Sequence, residues 1–462
     1  MFTNETLSRI REIVSSEYVT NEPEDLYIYS RDQGVQDPHM PDCVVMPSST
    51  EEVQEILRLA SREQIPVVPM GGGLVLSGLS VPLKGGIVLD MKRMNRILEI
   101  NEKSHYAVVE GGTSQGMLDA YLKKNFPHLK HSLPDAPPAA TIAGNIAIHG
   151  SGHLSQSQGG FHSEMVTGLE VVLSNGDVVK LGSCSTVPYW FSRAPLPDLV
   201  GLFLGWNGTT GVITKVGIKL YPRPKLHDVL VYMTEDIDLA PEVLTRVINT
   251  ETAEDINYAL SPKPDYLNGF QMMVINITAN SEDEMALKKK IIRDVLKDLY
   301  ETKESGFMPV PPNMKTGFLE APQKALSKFA DVRRGGGFEY VGAIMPIERI
   351  PDACRAGMEI TARHGITYSL GARIIGKGHC AMFFFAYPFN RVDADEVEKV
   401  KMALEDTNEA SLRLGGIPWK AEVQGQQLIL KQMDPGTYSL MKRIREVLDP
   451  AGIMNPGNWE VS

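Results

Sequence analysis

Three glycine-rich stretches in the first half of the chain have the residue types and order to do chemistry. They are Gly71-Gly72-Gly73-Leu74-Val75-Leu76-Ser77-Gly78, Pro134-Asp135-Ala136-Pro137-Pro138-Ala139-Ala140-Thr141-Ile142-Ala143-Gly144-Asn145, and Gly208-Thr209-Thr210-Gly211-Val212-Ile213-Thr214. Glycine has no Cβ, so backbone N–H groups can approach phosphate oxygens closely, and threonine and serine hydroxyls add donors to the same oxygens. A single loop of this kind is weak evidence. Three of them, each beside a β-like run, predict several loops converging on one dinucleotide diphosphate. The spacing does not match GxGxxG opening a helix, and no GxxxxGK(S/T) occurs.

These loops need strands and helices to hold them, and the chain reads in three parts. Residues 1–36 form a helical lead-in, amphipathic over 8–13. Residues 37–225 form an α+β region, with strands predicted at 86–90, 106–110, 168–173, 178–181 and 212–220, and a helix at 50–64. Asn175-Gly176 reads as a two-residue hairpin turn. Residues 226–462 form a second α+β region, with strands at 272–277 and 382–385 and helices at 283–300, 350–364 and 394–414. Strands and helices without regular β-α alternation favour an antiparallel sheet there. Residues 306–318 and 333–337, rich in proline or glycine, read as loops.

At 462 residues with 43% hydrophobic content, the chain is long enough for two or three domains with conventional cores. A formal charge of −11 argues against a sequence-independent nucleic-acid binder. The N-terminus lacks a basic and an apolar signal region, and no apolar run approaches the ~18 residues of a membrane span, so a cytoplasmic setting is expected. Cys43, Cys184, Cys354 and Cys380 form no CxxC or CxxCH pair, which rules against an iron–sulfur cluster or attached haem held by this chain.

The order and wording of these segments resemble the flavoprotein family of vanillyl-alcohol oxidase and p-cresol methylhydroxylase (PCMH), which includes D-lactate and glycolate dehydrogenase flavoprotein subunits. The resemblance runs from Pro41-Asp42-Cys43-Val44-Val45-Met46-Pro47 to the closing Leu448-Asp449-Pro450-Ala451-Gly452-Ile453-Met454-Asn455-Pro456-Gly457. It implies an α+β fold, with a PCMH-type FAD-binding domain at 37–225 and an antiparallel-sheet substrate cap at 226–462 whose end returns to the FAD domain. Carried over by position, it assigns Gly71, Gly72, Gly73, Ser77 and Gly78 to the pyrophosphate. Pro134, Asp135, Thr141, Gly144 and Asn145 fall at the diphosphate and flavin edge, and Ser151, Gly152 and His153 near the ring. Gly160, His162, Gly211, Val212 and Ile213 fall on the adenine and ribitol side. His149, His153 and His162 have metal-like spacing, but in this region flavin-facing polar roles are favoured over ligation. The first loop holds no histidine, so the covalent link that some relatives make there is excluded. His379 falls where vanillyl-alcohol oxidase carries its linking histidine, and non-covalent FAD is the expectation.

In the cap, relatives that oxidise D-2-hydroxy acids carry a GHxGDGNxH-like stretch and a later EHG that supply metal ligands. This chain reads Gly378-His379-Cys380-Ala381-Met382-Phe383-Phe384-Phe385-Ala386 and Trp419-Lys420-Ala421-Glu422-Val423, so two expected histidines are missing and no metal is expected. His379, with an ordinary pKa near ~6.5, is the first choice as base, and Glu422 the second. Lys420 could stabilise the reduced flavin or hold an anionic substrate. Arg373 is a second candidate for the anion, or else the partner of a carboxylate. Tyr387 is a candidate pocket hydroxyl, and Trp419 retains an aromatic ring at the substrate. Residues 382–385 favour sheet packing over a substrate cage.

The leading expectation is an FAD-dependent dehydrogenase that takes hydride from a hydroxylated or benzylic-type carbon of a small molecule. Its electrons would pass to a partner protein, with homo- or hetero-oligomeric assembly left open. A D-lactate or glycolate-type dehydrogenase with an altered metal site is the alternative, and a catalytically silent electron-transfer subunit is another.

Overall fold

The computed structural model describes residues 2–32, 34–75, 78–262, 269–300, 305–311, 315, 319 and 335–460. Ser77, residues 312–314 and 316–318, and Arg333 and Arg334 lie outside them.

The first sheet runs in the order Val19–Thr20, Cys43–Val45, Ile87–Asp90, Val67–Met70. Its first pair is antiparallel and the other two pairs are parallel. Cys43–Val45 and Ile87–Asp90 are buried throughout, as strands covered on both faces must be. The helix Thr50–Glu63 starts where the Ser49 hydroxyl accepts from the Glu52 amide and stops at Gln64, which turns left-handed at φ 53°. Its apolar stripe, Val53, Ile56, Leu57 and Ala60, shares one core with Leu7, Ile10 and Val14 of the helix Asn4–Val14. The expected lead-in is therefore packed into the first region.

The second sheet is wholly antiparallel, in the order Ile97–Asn101, Tyr106–Glu110, Val212–Lys219, Val166–Val172, Val178–Gly182. The hairpin at Asn175-Gly176 is wider than a two-residue turn. The Leu173 amide reaches Asp177 O at 2.9 Å, and Gly176 takes φ 83° to close the loop.

The chain crosses to the cap between the strands Tyr221–Pro222 and Leu226–Thr234. There eight antiparallel strands run Ser305–Met308, Leu226–Thr234, Gln271–Ala279, Asp255–Leu260, Ser369–Ile375, Cys380–Asn390, Gly336–Met345, Ile417–Trp419. One face packs Ile256, Tyr258, Phe383, Phe385 and Tyr387 against the helices Ala240–Ile248, Ile350–His364 and Ala394–Arg413. Two stretches expected as loops contribute strands: Ser305–Met308 pairs with Leu226–Thr234, and Gly336 opens Gly336–Met345. Glycine's low strand propensity is overridden there by pairing partners supplied from elsewhere in the chain.

The C-terminal segment then returns to the first region. The Val67 amide reaches Ile453 O at 2.8 Å, the Asn455 amide reaches Val67 O at 2.9 Å, and Met454 is fully buried in the first core.

Candidate functional site

Two glycine-rich loops meet at the end of the strand Val67–Met70. A Cβ on Gly71 would stand 2.0 Å from Thr141 Oγ1, and one on Gly72 would stand 2.6 Å from Ala139 O, so only glycine permits this approach. Thr141 caps the helix Ile142–Ile146, its hydroxyl accepting from the Gly144 amide at 3.2 Å. Among the described residues, the amides of Gly71, Gly72 and Gly73 donate to no protein acceptor, and Gly73 adopts φ 64°. The hydroxyls of Ser151 and Ser157 and Oε1 of Gln156 are buried without a described partner. Buried polar atoms are rarely left so. The open amides of the first loop, set against the 139–141 segment, fit the diphosphate of FAD.

Other expected contacts are committed elsewhere. The Gly78 amide donates to Asp32 Oδ2 at 2.6 Å. Gly152 forms a bridge with Pro134 and donates to Ser155 Oγ at 2.9 Å. Gly160 makes a turn at φ 88°, its amide on Ser155 O, and Gly211 stands at φ 159° against Val171. Val212 and Ile213 point into two different cores, so they serve packing. His162 joins Ser132 Oγ at 2.7 Å to Asn145 Oδ1 at 2.5 Å. Burial pulls its pKa down to about 3, so it is neutral and fixes Asn145. His153 turns to the cap, with Nε2 2.6 Å from Glu254 Oε2.

The face of the cap sheet opposite its helices carries the rest. Strand register sets Trp419 beside Gly342, Gly342 beside Phe384, and Phe384 beside Gly371. A Cβ on Gly342 would lie 2.5 Å from Trp419 Cε3, and one on Gly371 2.3 Å from Phe384 Cζ. These glycines let both rings lie across the sheet. Tyr340 stacks on Phe384, centroids 5.3 Å apart at 24°, and meets Trp419 edge-on at 6.2 Å. Met382 and Phe384 therefore face this wall while Phe383 and Phe385 fill the core, as strand alternation requires. Trp419 Nε1 donates to His149 O at 2.9 Å, tying the wall to the FAD-binding region.

Lys420 sits at the edge of this wall, its Nζ 3.9 Å from the Trp419 ring centroid. It makes no ion pair among the described residues, and it occupies the left-handed region at φ 56°, where a side chain costs about 1–2 kcal/mol. Burial pushes its ammonium down to about 8, partly opposed by Asp135. Arg373 behaves differently. It binds Asp135 through Nε and Nη2 at 3.0 and 2.8 Å and Asp255 through Nη1 at 2.6 Å, so it is a carboxylate partner and not an open anion site.

Three expected catalytic or pocket residues lie elsewhere. His379 is exposed, immediately after the turn Gly376–Gly378, whose Gly376 and Lys377 amides bond Ser155 O and Gln156 O. It stands outside the buried wall. Glu422 is buried as the N-cap of the helix Val423–Gln432, accepting from Asn408 Nδ2 at 2.6 Å and the Gly425 amide at 3.1 Å. Tyr387 is on the helix-facing side of the sheet, its hydroxyl 2.8 Å from Thr407 Oγ1 in the core. Strand alternation turns it away from the wall, so it is not a pocket hydroxyl. Tyr340, Asp255 and Glu254 carry site contacts that sequence reasoning missed. An alternating Phe338-Tyr340-Gly342-Ile344 pattern was the available signal for the first.

Comparison with known proteins agrees with this geometry. A family model described as FAD binding domain matches residues 41–182, and one described as FAD linked oxidases, C-terminal domain, matches 272–459. The glycolate oxidase subunit GlcD of Bacillus subtilis is 28% identical, over 99% of this chain and 97% of that protein. A D-lactate dehydrogenase of Archaeoglobus fulgidus is 26% identical over 90% of each. Among solved structures, p-cresol methylhydroxylase with substrate bound superposes with a TM-score of 0.86 at 20% identity, covering 99% of this chain and 97% of that one. The 4-ethylphenol oxidase of Gulosibacter chungangensis, in complex with isoeugenol, gives 0.85 at 22% with the same coverage. With glycine loops shaped for a diphosphate, a cap sheet facing them and both family models in order along the chain, this protein belongs to the FAD-linked oxidoreductases of PCMH-type fold and is an FAD-binding enzyme.

Proposed function

We propose that this enzyme is a dehydrogenase that removes hydride from a hydroxylated or benzylic-type carbon of a small, flat substrate, and that its electrons leave to a partner protein. The observation that carries this reading is the wall of Tyr340, Phe384 and Trp419 with Lys420 at its edge. When bound, FAD supplies the hydride acceptor, at N5 of its ring.

The chain's own part is positioning and charge. An aromatic wall offers flat apolar contact to a ring, and its rigidity limits the entropy lost on binding. Lys420 supplies a positive charge that no protein carboxylate neutralises among the described residues, suited to a phenolate or carboxylate on the substrate. Arg373 and Asp135 hold the cap against the second glycine-rich loop, which orients the wall. Non-covalent FAD, with residues 71–73 toward the pyrophosphate, 141 and 144 at the diphosphate and flavin edge and 151 near the ring, accompanies this reading.

A second reading is supported by the sequence relatives named glycolate oxidase subunit and D-lactate dehydrogenase, in which case Lys420 would hold a 2-hydroxy acid's carboxylate. The exposure of His379 and the capping role of Glu422 count against a metal at those positions. Anaerobic titration separates the two. Bleaching of the oxidised flavin band by 4-alkylphenols or benzylic alcohols, independent of added zinc, supports the first reading. Bleaching by D-lactate, glycolate or 2-hydroxyglutarate alone overturns it in favour of the second.

A further inference from the structure

Two cap strands and one loop of the FAD-binding region bring together His153, His227 and Glu254. The strand Gln271–Ala279 lies between the other two strands and sets their offset. His227 is opposite Thr278, Asp255 is opposite Asn276, and the Glu254 amide donates to Asn276 O at 2.8 Å. The Thr278 hydroxyl then donates to Glu254 Oε1 at 3.3 Å, so His227 and Glu254 flank one residue of the middle strand. His153 enters from the other region, its ring edge-on to that of His227 with centroids 5.6 Å apart.

One ligand atom from each of the three residues lies within 4.8 Å of the others, and this is the one such group among the described residues. Two further observations point to a missing ligand. His227 Nε2 is buried with no hydrogen-bond partner among the described residues. Asp255 Oδ1 is equally unpartnered, and its Oδ2 lies 3.9 Å from His153 Nδ1, beyond direct hydrogen-bond reach. Lys130 takes Glu254 Oε1 at 2.5 Å and leaves Oε2 toward the imidazoles.

We propose that His153, His227 and Glu254 bind one divalent transition-metal ion, zinc being the best match, and that the ion ties the 151–153 loop to the cap. Two imidazoles and a carboxylate are a zinc donor set, and three protein ligands leave a fourth position for water. The ion takes the place of the hydrogen bond between His153 Nε2 and Glu254 Oε2. The set shares no residue with His379, Cys380 or Glu422, and it does not depend on which substrate is oxidised.

The test uses the FAD-loaded protein, treated with a chelator and titrated with Zn²⁺ by calorimetry and with Co²⁺ by visible absorption. About one equivalent is expected to bind, with affinity lowered more than about tenfold in His227→Ala and unchanged in His379→Ala. Zn²⁺ is expected to raise the melting temperature of the wild type and not that of His227→Ala. Retained flavin absorbance shows that the variant is folded, and Glu254→Gln gives a second loss-of-ligand test. Absence of binding, or equal affinity in His227→Ala, overturns the proposal.

Discussion

Arg373 grips Asp135 with two nitrogens at once, Nε to Oδ2 at 3.0 Å and Nη2 to Oδ1 at 2.8 Å, across the junction between the cap sheet and the second glycine-rich stretch. Its third contact, Nη1 to Asp255 at 2.6 Å, makes it the hub of a buried ion triad. Burial opposes the charge on Arg373, but Asp135 and Asp255 outweigh it and hold the guanidinium firmly protonated. Burial also raises the Asp255 carboxyl despite that partner. A buried triad of this kind gives geometry more than net stability, because desolvation consumes most of the attraction.

Removing the hub therefore costs more than the triad contributes. Arg373→Ala leaves Asp255 buried without its cation and is expected to destabilise the protein by about 3–5 kcal/mol. Asp135→Asn, at a partly exposed partner, is expected to cost about 1–2 kcal/mol while loosening flavin retention. Urea unfolding followed by flavin fluorescence measures both, and equal effects from the two variants would contradict the assignment of Arg373 as hub.

With Lys420 as the proposed holder of the substrate's anionic group, an alkaline limit on activity is expected. Its ammonium, lowered to about 8, is charged below that pH and neutral above it. The specificity constant for an anionic substrate should accordingly fall as pH rises through about 8. Lys420→Arg should carry that fall to higher pH, since a guanidinium keeps its proton. Lys420→Met should lower it about 10–100-fold at neutral pH, the loss of one charge-assisted contact. A pH profile of Lys420→Arg identical to the wild type would show that Lys420 is not the titrating group.

Gly342→Ala tests the aromatic wall. The new Cβ would meet Trp419 Cε3 at 2.5 Å and force the ring to tilt or the strand to shift, an overpacking cost of about 1–3 kcal/mol. If the wall binds substrate, KM rises more than stability falls, whereas His379→Ala, on the exposed hairpin, leaves kcat within about twofold. Steady-state kinetics on the two variants, with thermal unfolding as control, separates a binding wall from simple packing.

Acid should destabilise the FAD-binding region through its buried histidines. His162, held at about 3 by burial, stays neutral in the fold while the unfolded chain takes up a proton near pH ~6.5. Its contribution is complete above pH ~6.5 and is lost as pH falls toward the folded value, at about 1.4 kcal/mol per pH unit. His131, held at about 4, adds to the same window. Unfolding free energy measured at pH 7 and pH 5 should drop by about 2 kcal/mol less in His162→Gln than in the wild type.

Local sequence determined the cofactor and much of the scaffold. Paired glycines at Gly71 and Gly72 can serve only a close backbone approach, and the structure sets both against the 139–141 segment. Helices such as Ile350–His364 followed from their own apolar spacing and their terminal Gly365, which takes φ 63°. The strand Gly336–Met345 was not legible, because its stability comes from partners at 380–390 and 417–419, far along the chain. Side-chain direction was equally out of reach. Phe383, Phe384 and Phe385 differ only in pleat position, yet two fill the core and one faces the wall. Which charges stand open was decided in three dimensions as well. Arg373 and Lys420 are both cations on the cap, but strand register brings Asp135 and Asp255 to the first, and the second keeps its charge beside Trp419. Pairing of charges depends on contacts between residues remote in sequence, and those distances exist only once the sheet has formed.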